Sequence, residues 1–251
     1  MPKLVVLGTS DAVPDENHDN THLLLLGEQR RVLIDAASNP VMRLRRIGIE
    51  PNSITDIIMT HFHPDHVSGI PLLLMNMWLL GRDQLLNLYG LEHCVRLMEQ
   101  FLDAFEWSRW LEFPVEIKRL REMKMTPVLE SSDFRITSFP VKHFVPTIGL
   151  RFEFPKSGKV LAYTCDTAPT ANVVWLAQGA DILLHEAAGA SSGHSSAAQA
   201  GEMARLAGVK QLYLIHYPTG EFDSKSLVRE AQGNFEGPVA LAEDFMEFSF
   251  D

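Results

Sequence analysis

Apolar positions fall along the chain in short runs separated by turn residues. Leu4-Val5-Val6-Leu7 is followed by Gly8-Thr9-Ser10-Asp11 and Pro14, so the pattern predicts a strand from Lys3 to Leu7 and a loop reaching Asn20. His22–Leu26 and Arg31–Ile34 are two more runs, parted by Gly27-Glu28-Gln29-Arg30 in the manner of a hairpin. His18 reads as a solvated loop residue and His22 as a packing one. Pro40 to Ile47 predicts a short helix whose Arg43, Arg45 and Arg46 form a solvated face. Ile54 to Thr60 reads as a buried strand. Val67 to Leu80 then places Ile70, Leu73, Leu74, Met77 and Trp78 at helical spacing, and Gly81 ends that helix.

A strand over Leu85–Tyr89 and an amphipathic helix from Leu91 to about Phe105, carrying His93 and Cys94, come next. The aromatic residues Phe101, Phe105, Trp107, Trp110 and Phe113 predict a satellite core, with an apolar lid over a site as the alternative. Lys118 to Lys124 is a basic stretch, read as solvated and as a minor candidate for phosphate contact. From Phe134 strands return at Phe134–Phe139, Ile148–Phe154, Val160–Cys165, Asp181–Leu184 and Gln211–Ile215. Helical patterns intervene at Thr170–Gln178 and Ser196–Ala207, and another follows at Ser224–Gln232. Strands paired with helices in two halves, without a Pro-, Gly- or Ser-rich linker, predict one α/β domain over residues 1–251.

Composition narrows the function classes. The 251 residues are 46% hydrophobic and 22% charged, an ordinary globular balance. The net charge of −10 argues against a surface made for indiscriminate nucleic-acid binding. Two cysteines, Cys94 and Cys165, suggest no disulfide framework, so a reducing cytoplasm is expected. The opening residues carry no secretory pattern, and the Ile70–Leu80 run is too short for a bilayer; a soluble protein without membrane partners is expected.

Chemistry enters with His61-Phe62-His63-Pro64-Asp65-His66, three imidazoles and a carboxylate in six residues. Zinc favours such donors, and catalytic sites keep a position open for water. A strand end turning into a helix can aim His61 and His63 at one ion and Asp65 and His66 at a second. The chemistry indicated is metal-assisted hydrolysis.

The H-x-H-x-D-H pattern resembles the signature of the metallo-β-lactamase superfamily, whose fold is a four-layer αββα sandwich. That resemblance implies further ligands after later strands: His143, Asp166 in Tyr163-Thr164-Cys165-Asp166, and His216 in Leu214-Ile215-His216. It assigns His61, His63 and His143 to one metal, Asp65, His66 and His216 to the other, and Asp166 as the bridge. It also gives Asp35 the task of orienting the histidine loop. Two zinc ions, or manganese or iron in the same His/Asp set, would carry a bridging hydroxide, with Asp65 as ligand and proton acceptor.

Two other stretches narrow the resemblance to the ribonuclease Z-like branch. His143-Phe144-Val145-Pro146-Thr147-Ile148-Gly149 is similar to that branch's H-x-x-P-x-x-G segment. His185-Glu186-Ala187-Ala188 and His194-Ser195-Ser196 are similar to its H-E-A-T and H-S-T loops, which implies that Glu186 and His194 assist leaving-group protonation. The departures are Leu150, Ala188 and Ser196 at customary Tyr, Thr and Thr positions, and Cys165 at a customary Gly. The long tRNA-clamping arm between the His and Asp ligands is also missing; only Phe154 to Lys159 turns the chain there.

The expectation is therefore an arm-less, dinuclear metal hydrolase of phosphodiesters, with RNA as a candidate partner and a homodimer as a candidate assembly. The alternatives are a tRNA 3′-end endoribonuclease, which a dimer partner's surface could complete, and a carboxylic or sulfate ester hydrolase such as a lactonase.

Overall fold

The computed structural model describes residues 1–220 and 223–251. Its strands form two seven-stranded sheets. The first runs in the order β14 (Glu247–Ser249), β1 (Lys3–Gly8), β2 (His22–Leu26), β3 (Arg31–Ile34), β4 (Asp56–Ile58), β5 (Leu86–Leu91), β6 (Val115–Leu120). The second runs β13 (Val239–Leu241), β12 (Gln211–Ile215), β11 (Ile182–Glu186), β10 (Lys159–Tyr163), β9 (Thr147–Phe154), β8 (Arg135–Val141), β7 (Thr126–Glu130).

The two-residue period of the strands sorts their side chains into layers. Leu4, Val6, Leu23, Leu25, Val32 and Ile34 share the central core with Ile136, Leu150, Phe152, Leu161 and Tyr163 of the facing sheet. Their neighbours Val5, Leu7, Leu24 and Leu33 belong instead to an outer core under α1 (Pro40–Arg46), α3 (Ile70–Leu79) and α4 (Glu92–Ala104). The other sheet is covered in the same way by α5 (Ala171–Ala177), α6 (Ala197–Ala207) and α7 (Ser224–Gln232). Both faces of these strands are buried, which is why their sequences read as unbroken apolar runs. The result is the expected αββα sandwich. Among the described residues, no helix is long and apolar enough to cross a membrane.

The helix expected over Val67–Leu80 is interrupted. A four-residue helix α2 (Pro64–Val67) stops at Ser68, and α3 begins at Ile70. Gly69 lies so close to the preceding loop that a Cβ would come within 2.8 Å of the Ala36 oxygen, while its N–H donates to that same oxygen. This contact pins the histidine loop to the end of β3.

The basic stretch is divided: Arg121 to Lys124 are exposed, as expected, while the residues before them belong to a strand. Lys118, Arg119 and Leu120 end β6, a sheet-edge strand, and Arg119 pairs with Glu92 and Glu99 at 2.9 Å. Charged edges of this kind discourage strand addition. Strand β7, with Pro127, is the matching edge of the second sheet. Arg43 departs from the solvated face predicted for it: only 15% of its side chain is exposed, its Nε donates to the Leu7 oxygen at 2.8 Å, and it pairs with Asp244. Of the aromatic residues, Phe101, Trp107, Trp110 and Phe113 join the outer core of the first sheet rather than a separate satellite, and Phe105 is half exposed.

Candidate active site

Most of the chemically important side chains stand at or just after the C-terminal end of a strand, with Asp65 and His66 in α2 and His194 in the loop before α6. Asp35 follows β3, His61 follows β4, His143 follows β8, Asp166 follows β10 and His216 follows β12. Glu186 is the last residue of β11. Three of these turns pass through left-handed backbone, at Asp35 (φ 60), Cys165 (φ 55) and His216 (φ 51). Such a conformation costs about 1–3 kcal/mol for a residue with a side chain. Here dense hydrogen bonding holds each turn, and position 165 is one that would suit glycine on steric grounds.

Asp35 is buried and organises the histidine loop. One carboxylate oxygen accepts from the Thr60 N–H at 2.8 Å; the other accepts from Thr60 Oγ1 at 2.7 Å and from His66 Nδ1 at 2.8 Å. With its hydroxyl proton given to Asp35, Thr60 is left to accept from His61 Nδ1, 3.1 Å away. His143 donates from Nδ1 to the Gly193 oxygen at 2.7 Å. In a neutral ring each such donation leaves the opposite nitrogen, Nε2, as a lone pair. This is the outer hydrogen bonding that metal-binding histidines need.

Those lone pairs converge. His61 Nε2 and His143 Nε2 each lie 3.1 Å from His63 Nδ1. Tetrahedral donors on zinc, with bonds of about 2.0–2.1 Å, stand roughly 3.3 Å apart. Asp166 lies between this trio and a second group: its Oδ2 is 3.3 Å from His216 Nε2, and its Oδ1 is 3.4 Å from His66 Nε2. Asp65 Oδ2 is 3.6 Å from the same His66 nitrogen. Three groupings of close donor atoms result; the two built only of histidines and aspartates, His61–His63–His143–Asp166 and Asp65–His66–Asp166–His216, share Asp166, and the third is His61–His66–Cys165. His66 Nε2 and Asp166 Oδ1 are buried without any hydrogen-bond partner. Buried polar atoms are rarely left so. A donor set of imidazoles and carboxylates with two orphaned atoms facing each other fits a pair of divalent ions.

Electrostatics divide the rings. Burial lowers the pKa of His61, His63 and His143, favouring the neutral ring. Burial works to lower the His66 pKa too, but Asp166 and Asp35 outweigh it and hold it well above the usual imidazole range, so with no cation between them His66 keeps its second proton. Burial would raise the Asp166 carboxyl, but His216, His66 and His61 outweigh it and hold Asp166 well below the usual carboxylate range.

Beside the two sets stands a second pair. His194 Nδ1 lies 3.0 Å from Glu186 Oε1. Glu186 is itself fixed by backbone N–H groups of Thr167 and Ala188 at 2.9 Å and of Ser195 at 3.2 Å. Burial works to lower the His194 pKa, and the Glu186 hydrogen bond and charge more than reverse it, so His194 keeps its proton to higher pH than a free histidine. His194 does not cap α6; Ser196 does, through a reciprocal capping box with Gln199. A cavity of about 310 Å³ opens over the cluster, lined by Asp11–Val13, His63, Asp65, Phe144, Asp166, Ala188, His194 and His216.

The structure thus brings together all nine residues singled out in sequence: His61, His63, Asp65, His66, His143, Asp166, His216, Glu186 and His194. His18 pairs with Asp15, and His22 is buried against the Asn20 carbonyl, both outside the cluster. Sequence reasoning missed Thr60, the Gly193 carbonyl and Thr21, whose Oγ1 lies 3.3 Å from His216 Nδ1. Thr60 alone had a signal, its place between the strand and the first histidine.

Comparison with known proteins gives a consistent picture. Residues 30–217 match the Beta-lactamase superfamily domain. Ribonuclease Z of Methanothermobacter thermautotrophicus is 29% identical over 307 aligned positions, covering 98% of this chain and 96% of the relative. Ribonuclease Z of Bacillus licheniformis is also 29% identical over 307 positions, covering 98% of both chains. Among solved structures, the metallo-beta-lactamase fold protein YhfI of Bacillus subtilis superposes with a TM-score of 0.84 at 21% identity, over 98% of each chain. The short form of human tRNase Z gives 0.79 at 23% identity, over 99% of each chain. The alignments span 307 positions against 251 residues here, so at least 56 positions of each relative have no counterpart in this chain.

Proposed function

The chain belongs to the beta-lactamase superfamily, and from that premise we propose that it is a dinuclear metal-dependent phosphodiesterase acting on RNA or its fragments. The observation that carries the reading is the sharing of Asp166 by two converging donor sets, with the Glu186–His194 pair beside them. Divalent ions held by the two sets, zinc by donor type, would supply Lewis acidity and a water acidic enough to attack near neutral pH.

The chain's own groups do the rest. Asp166 joins the two sets, and Asp35 fixes the rings of His61, through Thr60, and of His66. Asp65 faces the cavity and accepts a proton from the attacking water. His194, oriented by Glu186, donates a proton to the departing oxygen.

The names of the relatives favour a second reading, 3′-end processing of precursor tRNA. Against it stands the β9–β10 connection, a tight turn at Pro155–Gly158 in the stretch between His143 and Asp166, where the resemblance implies an arm. Incubation with bis(p-nitrophenyl) phosphate, cyclic nucleotides, precursor tRNA and lactones, with elemental analysis of the same sample, decides among these. Phosphodiester turnover with about two metal equivalents per chain is expected. Turnover of lactones alone would overturn the assignment.

His194→Ala should separate substrates by leaving group. A nitrophenolate departs without a proton, whereas an alkoxide needs one, and a positioned general acid is worth about 10²–10⁴-fold. The variant should keep its metal and much of its nitrophenyl-ester activity while alkyl phosphodiester cleavage falls in that range. Equal losses on both, with metal retained, would remove His194 from the reaction.

A further inference from the structure

The position of one exposed aromatic ring points to the part of the substrate that this site recognises. Phe144 directly follows His143 and is 60% exposed. Isolated exposed apolar side chains are ordinary, so exposure by itself means nothing. Placement gives it meaning. The ring lines the cavity over the donor sets, with its centroid 5.0 Å from that of His143 and 5.8 Å from that of His194.

The ring's seat is built into the backbone. A Cβ at Gly193 would come within 2.7 Å of Phe144 Cε2 and within 3.0 Å of His143 Nδ1. Glycine at 193 therefore leaves room for the phenyl ring while its carbonyl orients His143. The same loop carries His194, so the ring sits next to the proposed proton donor to the leaving group. Whatever departs beside His194 departs beside Phe144.

The cavity's chemistry says what that group is. No lysine or arginine is among its described lining residues. A polyanion therefore finds no side-chain cations there to track its backbone, and affinity beyond the donor sets has to come from apolar contact. A phenyl face at a cavity of nucleotide size suits a planar aromatic ring, and nucleobases stack on aromatic side chains with little regard to sequence.

We propose that Phe144 is a stacking platform for the nucleobase next to the scissile phosphate, so that the site reads a single unpaired nucleotide rather than a folded RNA. This deepens the phosphodiesterase reading and rests on it.

Titration calorimetry on the metal-loaded protein tests the platform without relying on turnover. The probes are adenosine 3′-monophosphate, adenosine 5′-monophosphate and ribose 5-phosphate. At least one nucleotide should bind about tenfold or more tightly than the sugar phosphate, as one base stacked on an aromatic ring implies. Phe144→Ala should collapse that preference while leaving ribose 5-phosphate binding and metal content unchanged, and Phe144→Trp should keep it. Equal binding of nucleotide and sugar phosphate by the unaltered protein, or a preference that survives in Phe144→Ala, would overturn the platform. A parallel phosphodiester assay separates the two levels. Absence of any phosphodiester turnover would remove the proposed function and the platform with it, whereas turnover without nucleoside preference would remove the platform alone.

Discussion

Asp166→Ala should strip the protein of most of its metal and lower phosphodiester hydrolysis by about a thousandfold or more. The carboxylate is the one group common to both donor sets, within 4 Å of His61, His66, His143 and His216. Its loss removes a ligand from each set and also negative charge that would offset the two divalent ions. Transition-state stabilisation by metal ions amounts to several kcal/mol, and each 1.36 kcal/mol is tenfold in rate. Elemental analysis and turnover on the same sample check the result, with circular dichroism to establish that the sheets have formed. Asp166→Asn keeps the shape and loses the charge, so it should fall nearly as far. Two retained equivalents with turnover within about tenfold of the unaltered protein would be incompatible with a shared ligand.

Removal of the metal should also be visible as heat lability. A ligand that binds only the folded chain stabilises it by about 4.1 kcal/mol at a thousand times its dissociation constant. For a chain of 150–250 residues, each kcal/mol moves the melting temperature by about 2–4 °C. Stripping with a chelator should therefore lower it by roughly 8–16 °C, and readdition of zinc should restore it. The buried His66 Nε2 and Asp166 Oδ1, which lack protein partners, are the groups whose demands the ions meet. An unchanged melting temperature after verified metal removal would show that the cluster is satisfied without ions.

Much of this was legible in the sequence, for identifiable reasons. The β1, β2 and β3 runs could be read because both faces of those strands are buried, and the hexapeptide because its donors are contiguous. The later ligands needed the resemblance, since a histidine after a strand is usually a packing residue. What could not be read was set by contacts distant in sequence. The edge strands β6 and β7 are charged or interrupted by proline, so they look like loops. Arg43 looks solvated until Asp244, some 200 residues away, closes over it. The break at Gly69 depends on the Ala36 oxygen, and the hydrogen bonds of Thr21 and the Gly193 carbonyl leave no trace in residue spacing.

Strands of both sheets contribute donors, the first bringing His61 to His66 and the second His143, Asp166 and His216. That division has a kinetic consequence. The first set is not complete until residues 61 and 166 have met, nor the second until residues 65 and 216 have, so an ion at either could not nucleate folding in the way a zinc finger's ion does. The chain must pass its transition state on apolar pairing alone, with many contacts distant in sequence and correspondingly slow to form. Once both halves are joined, ions held by the two sets would act as clamps across the seam. Their stabilisation would then fall on the unfolding rate, lengthening the lifetime of the native state while leaving the speed of its formation nearly untouched.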